Sequence, residues 1–278
     1  MTMNTAGNSG VLPPEYGQLI VEPMTQMSVA LQVATVINTT AHDFHFPRVN
    51  SDVTAEWTAE GATITSSDAA TDSYVVTPKK LASLTTVTNE LINDSSPAAQ
   101  EIVGQSIARE MARKLDAAFF GSLPAPAPAG LGSLTGTLVV DTGGAITNAD
   151  PFIDGQMEIE ASGAALTAWV TSPATARAIA KIKQTADSNV PLVSPDVSAP
   201  SGRTLLGVPL YVTAAVQDGT VWGISKADVF VVMRQDVEIA TSSGGSTFAA
   251  DSTDIRGVMR VAPAFPRLES IVKLHDAS

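Results

Sequence analysis

The stretch that decides the fold is Ser96-PAAQEIVGQSIAREMARKLDAAFF-Gly121. Val103, Ile107, Met111, Leu115 and Phe119 recur every fourth residue, and Ile102, Ala108 and Ala118 widen the stripe, so the spacing predicts an amphipathic helix over 96–120. Ser96 is placed to cap the first free N–H groups, and Pro97 follows where a missing N–H costs nothing. Glu101 near the start and Arg109, Arg113 and Lys114 in the second half suit the helix dipole. Gly121 ends the run, and Pro124, Pro126 and Pro128 forbid continuation. At 1.5 Å per residue the helix is a rod of roughly 36 Å, long for a globular protein.

Working outward in the N-terminal direction, Tyr74–Val76 and then Leu81, Leu84 and Val87 read as strand. Phe44 and Phe46 alternate with Asp43 and His45 in a second strand signal. Between them, residues 50–73 are rich in Thr, Ser, Ala and Asp, with Trp57 and Ile64 the only large apolar side chains. Two strands bracketing so long a polar excursion suggest a hairpin that leaves the body of the protein, since a structureless loop of that length suits no compact monomer. Residues 1–18 are small and polar and read as an extended arm, anchored by the apolar content of 19–37.

In the other direction, the Pro/Ala/Gly connector over 121–136 reads as a boundary. Residues 138–140 read as strand, 150–161 as helix and 168–170 as strand, and Pro173 after Ser172 opens another helix. A long surface loop is expected over 185–204, then a single strand through Leu205, Leu206, Val208, Leu210 and Val212, and another over 229–232. The final part, 235–278, reads as antiparallel strands around a Ser/Gly-rich turn region at 241–254. The fold class expected is α+β, with a discontinuous first domain interrupted by a compact middle one.

Composition excludes several functions. The chain has 278 residues, enough for a substantial core, and no cysteine, so disulfides, thiolate metal sites and a Cys nucleophile are out. Its formal charge of -12 argues against gripping nucleic acid by phosphate neutralisation, yet suits a wall that must stay near DNA without sticking. No apolar run is long enough to span a bilayer, and the first basic residue is Arg48, so no secretory signal is read and a cytosolic protein is expected.

The search for chemistry finds little. His42 and His45 flank Asp43, but on a strand their imidazoles diverge, so no metal is expected there; His275 reads as a solvated tail residue. Glu56 and Glu60 beside Trp57 resemble a carboxylate pair by an aromatic platform, but their polar surroundings would not raise either pKa. No nucleophile elbow, phosphate-binding loop or dinucleotide fingerprint is present; Ser242–Gly245 is a flexible turn, and Lys79-Lys80 is a basic pair at a bend. The expectation is no enzyme and no cofactor.

Read in order, Phe46-Pro47-Arg48-Val49, Trp57-Thr58-Ala59-Glu60-Gly61-Ala62, Thr77-Pro78-Lys79-Lys80-Leu81-Ala82, Thr88-Asn89-Glu90-Leu91-Ile92 and Leu205-Leu206-Gly207-Val208-Pro209-Leu210 resemble the tailed-phage major capsid proteins of the Hong Kong ninety-seven phage fold. The resemblance implies an N-terminal arm over 1–40 and a P-domain over 41–124 and 235–278. Within that P-domain lie an extended E-loop at 47–78 and a spine helix at 96–120. It also implies an A-domain over 125–234, with the loop at 186–203 near a symmetry axis. It implies self-assembly into hexamers and pentamers of an icosahedral head around double-stranded DNA, made in the host cytoplasm and located in the virion. The partners implied are other copies of the chain, a portal at one vertex, separate scaffold or decoration proteins, and DNA held without sequence-specific contacts. The expected inter-subunit contact residues are Trp57, Glu60 and Ile64 on the E-loop and Lys79 and Lys80 at its base. Two departures from some family members are expected: no fused scaffolding segment, and no isopeptide crosslink, because 49–78 contains no lysine. An encapsulin-type nanocompartment shell is the alternative; an acidic hydrolase using Glu56 and Glu60 and a binding module are the remaining ones.

Overall fold

The structure, a computed structural model, describes residues 28–51, 54–61, 63, 65–68, 70–90, 98–183, 194–195 and 201–277. The arm expected over 1–18, Ile64, the helix start at Ser96 and most of the 185–204 loop lie outside these residues. From Ser28 the chain is already packed on the body, as a short helix α1 (Val29–Val33) and a strand β1 (Thr35–Asn38).

The remaining elements follow in chain order. The strands β2 (Phe44–Ser51), β3 (Ala70–Val76) and β4 (Lys79–Thr88) precede the long helix α2 (Ala98–Phe120). Then come β5 (Leu138–Asp141), α3 (Asp150–Ala161), β6 (Ala168–Thr171) and α4 (Pro173–Ala180). The strands β7 (Ser194–Pro195), β8 (Arg203–Leu205), β9 (Val208–Val212) and β10 (Val221–Ile224) lead to the long β11 (Phe230–Ser242) and β12 (Ser252–Ala264), and β13 (Ile271–His275) closes the chain. Among the described residues no helix is long and apolar enough to cross a membrane.

The strands form a four-stranded sheet in the order β1-β11-β12-β4, a seven-stranded mixed sheet in the order β5-β13-β10-β6-β9-β8-β7, and an isolated pair β2-β3. Helix α2 is the wall between the two large sheets. Ile107, Ala108, Met111, Leu115 and Phe119 are buried along it, as the period predicts. They share one core with Met259 and Val261 of the first sheet and with Val170, Trp222 and Ile271 of the second. The close seat of the first sheet on the helix needs Gly257, whose missing Cβ would stand 3.1 Å from Ile107 Cγ2. A second core on the far face of the seven-stranded sheet packs Phe152 and Ile159 of α3 and Ile179 of α4 around Trp169.

Two readings are corrected, and one strand is added to them. Residues 205–212 are two strands: Leu206 and Gly207 both take positive φ (52° and 79°), so the chain turns back and Leu205 pairs with Val208. Val221–Ile224 is a strand with every residue buried, and a four-residue run buried on both faces carries no alternation to reveal it. Residues 235–278 do not stay together: β11 and β12 build the four-stranded sheet, whereas β13 lies between β5 and β10 in the seven-stranded one. Val272 and Leu274 complete the core around Trp169, which the first sheet does not touch.

One polar side chain on the buried stripe ties these parts together. Asp116, on α2, is 4 % exposed. It accepts hydrogen bonds from Ser28 Oγ (2.7 Å), Val29 N–H (3.1 Å), Ala30 N–H (3.0 Å) and Thr213 Oγ1 (3.4 Å). The carboxylate therefore completes the N-terminus of α1, where Ser28 Oγ already accepts from Leu31 N–H, and reaches the end of β9. Burial pushes its pKa above 3.8, against the pull of those four donors.

Asp116→Ala leaves the donors of Ser28, Val29 and Ala30 without an acceptor and should cost about 3 kcal/mol in a denaturant melt of the unassembled chain. Because the folded chain holds this proton more tightly than the unfolded one, the contribution of Asp116 to stability falls as pH rises above 3.8. Melts across pH should show the stability difference between wild type and Asp116→Asn greatest below that value and shrinking to a plateau above it.

Candidate functional site

The pair β2-β3 is the part of the chain that departs furthest from a self-contained fold. Its strands bond only to each other, in register from Phe44 opposite Val76 to Ser51 opposite Ala70. The base is fastened. Phe46 and Val76 are buried against Val232, Ala262 and Ala264 on the face of the four-stranded sheet turned away from α2, and Phe46 stacks at 4.9 Å on Phe230. At the neck, Thr77 Oγ1 donates to Asp43 Oδ1 at 2.5 Å. That hydroxyl first, then His42, holds the Asp43 carboxyl below its ordinary range. Halfway up, Arg48 Nη2 lies 2.7 Å from Asp72 Oδ2. The Asp72 pKa is lowered by the Ser73 N–H first and by Arg48 second.

Beyond that point the hairpin's two arms meet each other where Thr54 N–H donates to Ser67 Oγ at 2.8 Å. The described residues of its tip, in 54–68, are all exposed, and Trp57 has the accessibility of an isolated side chain (106 %). The structure places Trp57 and Glu60 at this free tip. Ile64 lies outside the described residues. Lys79 and Lys80 open β4 on the body, exposed, with Lys80 opposite Arg260. Among the four of these residues that are described, Trp57 and Glu60 at the tip and the lysine pair on the body are separate features of a single chain.

The histidines form no centre. His42 Nδ1 is 3.0 Å from Asp43 Oδ1, while His45 Nδ1 meets Ser73 Oγ across the hairpin at 3.1 Å. Among the described residues no three His, Asp or Glu side chains are grouped to hold a metal. Glu56 and Glu60 stand exposed in solvent.

Comparison with known proteins agrees with this geometry. The profile of the phage capsid family matches residues 8–276. The chain belongs to the phage capsid family. Among solved structures, this phage capsid family member is similar to the capsid of an empty GTA particle computed with C5 symmetry. The TM-score there is 0.76 at 19 % identity, covering 100 % of this chain and 95 % of that one. It is similar to a chain from Microbacterium phage Oxtober96 (TM-score 0.71, 18 % identity, 89 % of this chain and 90 % of that one). It is also similar to a virus-like particle from Pyrococcus furiosus (TM-score 0.63, 13 % identity, 94 % and 98 %). No curated protein matches the chain in sequence. At these identities the likeness shows the fold, which is the α+β class expected from the residues and the capsid fold that the resemblance implies.

The residues that sequence reasoning missed are Asp116 and the base-plate partners of Phe46. Asp116 falls in the row Ala108, Ala112, Asp116, Phe120, so an acid on the buried face was a signal present in the spacing. Phe46→Ala removes the ring that seats the hairpin and should cost the unassembled chain about 3–5 kcal/mol, read as a drop in its denaturant midpoint. Val49→Ala, further out and 56 % exposed, should stay within about 0.5 kcal/mol.

Proposed function

We propose that this chain is the major subunit of a phage head, assembling as hexamers and pentamers of an icosahedral shell around double-stranded DNA. The observation that carries this reading is the projecting hairpin: an ordered base, a long reach, and a tip with an aromatic ring that its own chain leaves in water. A monomer gains nothing from ordering such an element, whereas a neighbour that covers the tip recovers the burial of the ring. In this reading the hairpin over 47–78 is the E-loop and α2 is the spine helix. The P-domain comprises 41–124 and 235–278 and the A-domain 125–234, with the last strand, β13, reaching from the P-domain segment into the seven-stranded sheet. Trp57, Glu60, Ile64, Lys79 and Lys80 make contacts between subunits, and the first 27 residues belong to the arm.

The acidic balance supports a wall that confines DNA without condensing on it. The absence of lysine from 49–78 supports a shell held by packing and hydrogen bonds, with no isopeptide bonds from the hairpin, and with portal, scaffold or decoration proteins as separate partners. An encapsulin-type shell would share the fold, but the family match is to phage capsids. Nuclease-protected DNA in purified particles separates the two.

Electron microscopy of the purified protein at neutral pH should show closed, uniform shells or hexamer sheets, and intact particles should give a single monomer band on a denaturing gel. A monodisperse monomer at every concentration tried would overturn the proposal, and a ladder of covalent oligomers would overturn its uncrosslinked form. Trp57→Ala should leave the melt of the unassembled chain within about 0.5 kcal/mol of wild type, because the ring packs on nothing there. The same variant should weaken association in the particle by about 2 kcal/mol or more, read as earlier disassembly in denaturant.

A further inference from the structure

The turn between β8 and β9 is built against local preference. Leu206 and Gly207 are its two central residues, with φ of 52° and 79°. A two-residue turn with both central residues at positive φ prefers Asn-Gly or Asp-Gly, because a bulky side chain crowds the backbone in the left-handed region. Gly207 meets that demand and Leu206 does not. The leucine gains little burial from its own chain in return: it is 43 % exposed, and a Cβ added to Gly207 beside it would meet open space. A single exposed leucine is ordinary. One that holds a strained backbone, where asparagine would relax it, points to a side chain kept for an outside contact.

The seven-stranded sheet carries a complement toward its other edge. β8 and β9 lie toward one edge, beyond β6, whereas α3 lies across β5 and β13 at the opposite edge. The solvent side of α3 presents Ile153 and Met157, one turn apart and 44 % and 51 % exposed, with the exposed acids Asp154 and Glu158 beside them. The half of the sheet that holds Leu206 presents exposed cations instead, Arg177 on α4 and Arg203 on β8. None of these charges has an ion-pair partner among the described residues. One half is apolar and acidic, the other apolar and basic.

We propose that the Leu206 turn is an assembly contact, seated on the Ile153 and Met157 side of α3 in a neighbouring copy, with Arg177 and Arg203 meeting Asp154 and Glu158. This rests on the shell reading above and adds a contact made by the seven-stranded sheet, separate from the hairpin. The apolar side chains supply the burial, and the ion pairs set the orientation. The strain at Leu206 is then carried by the free chain for a contact that only the assembly makes. Each copy gives with one half of its sheet and receives with the other. Such a contact is heterologous, and under rotation it closes rings of copies.

Leu206→Asn tests the role of the leucine, because folding and assembly should respond to it with opposite signs. In the unassembled chain the melting midpoint should rise by about 2 °C as the turn relaxes. The yield of particles should fall by about tenfold or more. A midpoint that does not rise, or particles formed at the wild-type yield, overturns the proposal. The seat on α3 is read with engineered thiols, since the chain has no cysteine of its own. Particles of Glu158→Cys/Arg203→Cys, treated with a short bis-maleimide, should give a ladder of linked chains on a denaturing gel that neither single variant gives. Particles that give no ladder overturn the seat. Should that chain fail to assemble, charge reversal decides: Arg177→Glu/Arg203→Glu should lower the yield of particles by about tenfold or more, and adding Asp154→Arg/Glu158→Arg should restore it. Failure of that rescue overturns the seat. In each of these outcomes wild-type shells still form and the shell reading stands, whereas a wild-type chain that never assembles overturns both readings.

Discussion

The structure depends on a carboxylate placed where a carboxylate is costly. Asp116 lies in the apolar stripe of α2, and water is excluded from it. A buried acid in such a place is tolerated only when its oxygens are satisfied. Here the donors are drawn from two separated parts of the chain: Ser28, Val29 and Ala30 at the root of the N-terminal segment, and Thr213 at the end of β9. An apolar residue at 116 could pack the helix against either sheet, but it could not select where α1 begins. The carboxylate does so by accepting two of the N–H groups that a five-residue helix leaves open. Once α1 is placed, β1 follows within two residues and pairs in parallel with β11, Thr35 opposite Phe230. The polar contact thus acts on the register of a segment that hydrophobicity alone would hold loosely.

From that fixed body the hairpin β2-β3 is cantilevered. It bonds to no third strand, and an isolated two-stranded ribbon is marginal in water. Its order comes from its foot: Phe46 and Val76 under the four-stranded sheet, the Thr77–Asp43 hydrogen bond across the neck, and the Arg48–Asp72 pair above it. The division of labour follows from the residues. Apolar side chains are spent at the base, where they can be buried within one chain, and beyond Val49 the sequence turns to Thr, Ser, Asp and Ala. Trp57 is the exception among the described tip residues, and that exception gives the tip its meaning.

Much of this was legible in the sequence, because it followed from period. A four-residue stripe over 103–119 announced α2, and the alternation around Phe44 and Phe46 with a polar tract behind it announced the hairpin. What period does not carry stayed hidden. Val221-Trp222-Gly223-Ile224 is buried on both faces, so it shows no alternation, and its glycine is required because a Cβ there would stand 2.7 Å from Trp169. The turn at Leu206-Gly207 sat within an apolar run that read as one strand. β13 has the same alternation as β12, and nothing in a two-residue period says which of two sheets a strand joins. The candidate contact residues were legible as types, an aromatic among acids and a pair of lysines. Their separation into the hairpin tip and the start of β4 is a property of three dimensions.

That separation also bears on how such a chain avoids sticking to itself in the wrong way. An exposed hairpin with two open edges and an indole at its end is a hazard, because two of them could pair edge to edge. The acids between 49 and 78, unopposed by any lysine or arginine within that stretch, make tip-to-tip pairing repulsive. A self-complementary tip would join copies in closed pairs. A tip that rejects its own kind would, in the proposed shell, join copies head to tail, and only the second geometry propagates around a ring. The charge pattern of the hairpin is therefore as much a part of the assembly rule as the ring it carries. Modest contacts would suffice in the proposed shell, where each copy is held through several neighbours at once.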